Sequence, residues 1–488
     1  MSFFDNMPDE FKYLMGEEAL PEKELKKEIY LGKGMDFGKN KDDIRITIPD
    51  SNRSGHFWCF GTTRVGKTRL LENMVEEDIK KGYDVIVLDP KGDAELFSKI
   101  AQVALLTGRK KDLMLFHPVF PDYSVKINPL EYYSMVDELV GHIMAAVPDG
   151  KEPFFKNVAY ETSINVITAI IQVAKLTNNS EVITFQNLID SSTDKMGLEE
   201  LLALLTSLKR GDQDTETQEI IDSLSKVAAS EKDYFSKISS SLRVALMELT
   251  MGNTGKLLGR VRGNEVIRRL EANAYETLYD EDGKREGVIF VVQAGSLLTD
   301  RTARTIGKVI ISSVAKLAGR IFASGRKLSR PLCVYIDEAQ SMLYGGIDDV
   351  FAKAGGANVW LHCFSQSINQ IYNEMPSKDA GKAILDNTNT KIFMRAPDQE
   401  TADSVAKFFG EVKKFSPIFS PNTSNLTVKE SLESLITPQH ILELQPRQFF
   451  ATSYNGMYRG EVRKVSDLFL KVAYPKSVNK SQPIPIQQ

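Results

Sequence analysis

The chain has 488 residues, 42% of them apolar, with 61 lysines and arginines against 65 aspartates and glutamates and a formal charge of -4 at pH 7. That length allows roughly two to four domains with real cores, and the near-neutral balance excludes recognition of nucleic acid through overall basicity while leaving a locally basic surface or channel open. The three cysteines, Cys59, Cys333 and Cys363, lie far apart in apolar runs, which argues against a disulfide scaffold or a zinc site and suits free thiols in a reducing compartment.

Residues 1–50 read as a lead-in segment. Acids are scattered through the first thirty, with no continuous apolar core for a signal peptide or membrane helix, and "DIRITIPD" adds a short strand-like alternation. The chain is therefore expected to start in the cytoplasm. From 51 to 130, "HFWCFG", "GTTRVGKT", "KTRLLENMVEEDIKKG" and "DVIVLDP" form a strand, glycine turn, helix and strand, a βαβ pattern that implies a parallel sheet. From 131 to 275 the text is almost wholly helical, with apolar residues at spacings of three and four in "MVDELVGHIMAAV", "GLEELLALLTSL" and "QEIIDSLSKVAA". The most apolar stretch there, "INVITAIIQVAKL", is too short to cross about 30 Å of hydrocarbon and reads as a core helix. From 276 to 470 strand text resumes with "GVIFVVQAG", "PLCVYIDEAQ", "NVWLHCFSQS" and "TKIFMRAP". Within it, 411–430 is polar and rich in Pro, Ser and Asn and reads as a long surface loop, and 471–488 reads as a flexible tail. The predicted class is α/β, a mainly parallel sheet flanked by helices and interrupted by an inserted all-α domain.

The chemistry starts at Gly61-x-x-x-x-Gly66-Lys67-Thr68, the spacing of a phosphate-binding loop. In such a loop the backbone N–H groups of Gly61, Thr62, Thr63, Arg64, Val65, Gly66, Lys67, Thr68 and Arg69 wrap phosphates. Lys67 reaches the β- and γ-oxygens, Thr68 ligates Mg²⁺, and the helix that follows adds its positive end. "CVYIDEAQ" then delivers Asp337 and Glu338 at a strand exit: Asp337 to hold Mg²⁺, directly or through water, and Glu338, on the opposite face of the strand, to polarise an attacking water. Gln366, just past the apolar "HCFS", is placed to sense the γ-phosphate or position that water. Asp89 in "VLDPKGD" reads as a turn-forming Asp-Pro and receives no catalytic role. The five histidines have no metal-ligand spacing, so ATP and Mg²⁺ are the only cofactors expected.

Taken in order, "GTTRVGKT", "VIVLDPKGD", "HPVFPDYSVKINPL", the helical stretch, "VYIDEAQSM", "CFSQSINQIY" and "DNTNTKIFMRAPDQETADSVAKFFG" resemble the TraD/TraG-type coupling proteins of conjugative and type IV secretion systems, over residues 30–465. The resemblance implies a RecA-like P-loop ATPase related to the FtsK and HerA motors, assembling as a homo-oligomeric ring, a hexamer, that moves DNA through its channel. It implies Lys67 and Thr68 on phosphate and magnesium, Asp337 and Glu338 on metal and water, and Gln366 as sensor. It also implies an all-α domain that docks the relaxase–DNA complex, or relaxosome, and contacts with secretion channel proteins. Such proteins usually begin with paired membrane helices; none is read in this text, which leaves a separate membrane subunit as anchor, a soluble variant or a trimmed chain as the readings, with the chain cytoplasmic or peripheral at the inner face of the membrane. Where many relatives carry a Gly-Arg pair thought to reach a neighbour's nucleotide, this chain reads "AKAGGANVW", leaving Lys353, Arg395 or Arg447 as the candidate trans-acting cation. A HerA/FtsK-like DNA pump, a protein-effector coupling ATPase and a non-motor nucleotide-switched scaffold remain as alternatives. Glu338 and Gln366 argue against the scaffold.

Overall fold

The computed structural model describes residues 27–148, 153–179, 182–211, 213–229, 239–275, 286–419 and 426–475, with backbone only at 153, 414–419 and 426–429. Its strands are β1 (Glu28–Asp36), β2 (Lys41–Pro49), β3 (Phe57–Phe60), β4 (Asp84–Asp89), β5 (Leu113–Phe116), β6 (Ile289–Gln293), β7 (Leu332–Ile336), β8 (Val359–Ser365), β9 (Thr390–Phe393), β10 (Glu411–Phe419), β11 (Leu426–Ser434), β12 (Gln448–Ser453) and β13 (Gly456–Val462). Eleven of them form one sheet in the order β2-β1-β13-β12-β9-β3-β8-β7-β4-β6-β5, and β10 pairs with β11 alone. From β9 to β5 every pairing is parallel; from β12 to β2 every pairing is antiparallel.

The parallel strands are buried along their whole length and mostly apolar because both of their faces are covered. On one face Phe57, Cys59, Val85, Val87, Cys333 and Tyr335 pack against the helices Lys67–Lys80 and Ala94–Leu106. On the other, Trp58, Phe60, Ile86, Leu88, Val334 and Ile336 share a core with the Ser296–Ala323 helix and the helical insertion. That insertion leaves the end of β5 and returns at the start of β6. It comprises the helices Val136–Ala146, Pro153–Thr177, Phe185–Ser192, Lys195–Leu208, Thr215–Ala228, Ser240–Thr250 and Glu265–Tyr275. The segment "INVITAIIQVAKL" lies inside Pro153–Thr177, and among the described residues no helix is long and apolar enough to cross a membrane. All three cysteines are buried and free.

A buried ionic cluster ties the first face together. Arg53, with no exposed surface, donates to Asp50 Oδ1 (2.9 Å), to both oxygens of Asp78 (2.8 and 2.5 Å), to the Tyr335 hydroxyl (3.1 Å) and to His362 Nε2 (3.0 Å). It therefore fastens the Lys67–Lys80 helix to β7 and β8.

The strand-like "DIRITIPD" of the lead-in forms β2, and β1 before it joins the sheet through β13, so the second half of the lead-in is structural framework. Two sequence expectations are corrected. The loop expected at 411–430 is instead largely the β10–β11 ladder, from Glu411↔Ser434 to Phe419↔Leu426. The Pro, Ser and Asn residues that suggested a loop are densest at 420–425, outside the described residues, and Pro417 is tolerated because a two-stranded ribbon leaves one edge of each strand unpaired. The tail expected from 471 begins as a strap over the Ala94–Leu106 helix: Val472 N donates to Ser98 Oγ (2.9 Å), and the Tyr474 ring stacks on Phe120 at 4.6 Å. Residues 476–488 of that tail, like 1–26, lie outside the described residues.

Candidate functional site

β3, β8 and β7 lie side by side and parallel, with Phe60 opposite Ser365 and Cys363 opposite Ile336, so Gly61, Gln366 and Asp337 all leave the carboxyl ends of neighbouring strands. Ligands of open α/β sheets bind at this end.

The loop between β3 and the Lys67–Lys80 helix is fixed from outside. Gly61 N donates to Ser365 O (3.2 Å), Thr62 N to Arg395 O (2.9 Å), and Arg447 N to Val65 O (2.7 Å). Gly66 is left-handed at φ 109°, and a Cβ there would sit 3.3 Å from Arg447 Cγ, so both its backbone and its setting favour glycine. No side chain caps the helix that follows, whereas Asp93, Thr184, Asp194 and Ser377 cap other helices of this chain. The first N–H groups of the Lys67–Lys80 helix are thus left to a ligand. Thr63 and Arg64 are exposed, Val65 is buried, and Thr68 is half-buried on the first turn. Arg69 turns its guanidinium to Glu72 and Glu95 at 2.9 and 3.0 Å.

Lys67 is only 8% exposed and donates to Gly61 O (2.5 Å) and Thr62 O (2.9 Å). Burial lowers its pKa, opposed by the negative potential of Glu338 and Asp337. Asp337, 6% exposed, has its carboxyl pushed up to about 6, first by burial and further by its neighbours Glu338 and Asp89, with Lys91 opposing. The alternation that would send Glu338 to the far face does not apply. β7 ends at Ile336, and Glu338 adopts a left-handed conformation (φ 48°, ψ 44°) that turns it back to the acceptor side of the sheet. There its Oε1 is ion-paired with Lys91, and its Oε2 accepts from Gln340 Nε2 at 2.7 Å. Burial opposes ionisation of Glu338, but Lys91 and Gln340 outweigh it and lower its pKa.

Sequence reasoning missed Lys91. Its signal was the position after a strand-ending Asp-Pro on β4, the strand beside β7. Asp89 itself builds that turn: its Oδ1 accepts from the N–H groups of Lys91 and Gly92 (both 3.1 Å), and its Oδ2 from Asp93 N (2.5 Å) and Gln293 Nε2 (3.2 Å). Gln366 is half-buried, its N–H on Gln370 Oε1 at 3.3 Å. Arg395 and Arg447 both stand beside this chain's own loop, Arg447 ion-paired with Glu461. Lys353 pairs with Asp349 (2.7 Å) ahead of β8, at the opposite end of the sheet. Glycine backbone, an uncapped helix start, a buried lysine and hard oxygen donors on Thr68 and Asp337 together fit a nucleotide phosphate chain with a small divalent cation. Among the described residues no group of three or more His, Cys, Asp or Glu forms a separate metal site.

Comparison with known proteins gives the same picture. Residues 15–256 match the family described as "Type IV secretory system Conjugative DNA transfer", and residues 331–446 match "TraM recognition site of TraD and TraG". Among solved structures, the bacterial conjugative coupling protein TrwBdeltaN70 in its unbound monoclinic form is 16% identical, with a TM-score of 0.61 over 93% of this chain and 91% of that one. TrwB in complex with ADP and Mg²⁺ is 14% identical, with a TM-score of 0.60 over 92% and 97%. TrwB with the non-hydrolysable analogue ADPNP is 15% identical, with a TM-score of 0.57 over 90% and 96%. These likenesses establish a shared RecA-like P-loop fold. No curated protein matches the sequence. Two family matches in their expected order, laid over that fold, assign the chain: it belongs to the TraD/TraG-type conjugative coupling proteins of type IV secretion.

Proposed function

We propose that this coupling protein is an ATP-hydrolysing motor that moves DNA, presented with its relaxase, toward a type IV secretion channel. The observation that carries the reading is the convergence of Lys67, Asp337, Glu338 and Gln366 at the carboxyl ends of three adjacent parallel strands. TrwB, of the same fold, has been obtained with ADP and Mg²⁺, and the donor set here suits both. In this reading the backbone from Gly61 through Thr62, Thr63, Arg64, Val65 and Gly66, with the first N–H groups of the helix up to Arg69, cradles the phosphates. Lys67 exchanges the carbonyls of Gly61 and Thr62 for phosphate oxygens. Thr68 and Asp337 would hold Mg²⁺, which would supply positive charge for the phosphate oxygens. Glu338 accepts the proton of the attacking water, and Gln366 orients that water beside the transferred phosphoryl group.

The reading extends to a hexameric ring with DNA in its channel and to the helical unit of 131–275 as the face that docks the relaxosome. The chain would work at the cytoplasmic face of the membrane beside a separate anchor. The test is steady-state ATP hydrolysis, with and without single- and double-stranded DNA, by wild type and by Glu338→Gln. DNA-stimulated turnover that falls by about 10²-fold or more in Glu338→Gln, with nucleotide binding retained, supports the motor. Full turnover in Glu338→Gln removes the base assignment, and turnover indifferent to DNA overturns the DNA motor.

A further inference from the structure

The acidic pair at the exit of β7 already has a cation. Lys91 Nζ is ion-paired with Glu338 Oε1 and lies 3.8 Å from Asp337 Oδ2, while its side chain remains 49% exposed and so has room to move. Its backbone does not share that freedom. The 89–93 turn is laced to the Asp89 carboxylate, which Gln293 Nε2 also contacts, and Asp93 then caps the Ala94–Leu106 helix. A rigid turn therefore presents a mobile ammonium to two carboxylates that the proposed function assigns to metal and water.

We propose that Lys91 is the resident counter-ion of this pair: it neutralises Asp337 and Glu338 before the metal arrives, releases Asp337 when a divalent cation takes that carboxylate, and stays on Glu338 to hold it toward the nucleotide. Two adjacent carboxylates, one of them almost fully buried, repel each other unless a cation is near. A dication and an ammonium compete for Asp337, whereas Glu338, which the metal does not need, keeps its partner. Lys91 is thus a positioning residue, acting through Glu338.

The inference rests on the proposed nucleotide site, so the first measurement is on wild type. A fluorescent ADP analogue should bind more tightly as Mg²⁺ is added, and Lys67→Ala should abolish binding; failure here overturns the nucleotide reading itself, before Lys91 is touched. Lys91→Ala then separates the two ideas. The Mg²⁺ concentration giving half-maximal tightening should fall about fivefold, the worth of a half-exposed ion pair that no longer competes. At saturating ATP and Mg²⁺, kcat should drop about tenfold with KM within about twofold, the pattern of a lost interaction at the reacting centre. Lys91→Arg, which keeps the charge, should restore most of kcat. A Mg²⁺ half-point in Lys91→Ala within about twofold of wild type overturns the proposal whatever kcat does, as does equal loss of kcat in Lys91→Arg and Lys91→Ala.

Discussion

Arg53→Met tests how firmly the nucleotide end of the sheet is registered from below. Arg53 is fully buried, and its guanidinium makes bonds to Asp50, Asp78, Tyr335 and His362. Met fills most of its volume but leaves the fully buried Asp78 without a guanidinium, beside the Tyr335 hydroxyl at 2.5 Å, the Cys333 thiol and Lys81 at 3.9 Å. Against burial, Arg53 holds the Asp78 carboxyl down to about 2 from its ordinary 3.8. A depressed acid contributes stability above its unfolded pKa and loses it as pH falls through the folded value. The depression here corresponds to about 2–3 kcal/mol present above pH 4 and lost toward pH 2. Removing the arginine forfeits that and strands a buried carboxylate, for a total cost of about 3–5 kcal/mol at pH 7. The assay is built into the chain. Its two tryptophans are Trp58 on β3 and Trp360 on β8, and Arg53 lies 5.1 Å from the Trp360 ring centroid, so urea unfolding followed by tryptophan emission reports on this cluster. Asp78→Leu alone should be similarly costly, but the double variant Arg53→Met with Asp78→Leu should recover about 1–3 kcal/mol relative to the sum of the singles. Strict additivity, or a cost for Arg53→Met under about 1 kcal/mol, refutes the reasoning.

Gly66→Ala places a side chain at φ 109° against Arg447, with a predicted cost of about 1–3 kcal/mol in stability and at least tenfold in nucleotide affinity. Wild-type affinity by fluorescence titration would contradict the close approach. Buried His142 and His56 are held neutral by desolvation, with pKa values pushed down to about 3 and about 4. Unfolded histidine protonates below about pH 6.5 while these folded ones do not, so their contribution is intact above that pH. It should be lost on acidification at up to about 1.4 kcal/mol per pH unit for each, until the folded values are reached. Urea midpoints at pH 7, 6 and 5 measure this, and an unchanged slope in His142→Gln would exclude that histidine.

What the sequence disclosed follows from which forces act locally. The loop 61–68, the acidic exit of β7 and the parallel strands are each written in a few contiguous residues, since a strand covered on both faces is apolar along most of its length. Hidden were features in which distant segments meet. β1 and β2 become sheet strands only because β13, some 430 residues later, pairs with Gly32–Asp36. Lys91 gains meaning only from a strand that arrives near residue 336. Alternation sends Glu338 to the far face because it assumes that the strand continues, and one left-handed residue ends it. The β10–β11 ladder is hidden by the Pro, Ser and Asn residues within 411–430, and the strap ending in Tyr474 reads as tail until Gln293, Phe120 and Ser98 are seen beside it.

The placement of the helical insertion has an evolutionary consequence. Because β5 and β6 are neighbours and parallel, everything from residue 117 to 288 is, topologically, a single crossover, a task that a dozen residues with one helix can perform. Such a connection can grow, shrink or be exchanged without altering the order of any strand, so the helical unit can diverge while the nucleotide end of the sheet stays constant. One condition applies. Leu139, Val140 and Ile143 share a core with Ile306, Val309 and Ile310 of Ser296–Ala323, so any replacement must bring its own apolar cover for that helix.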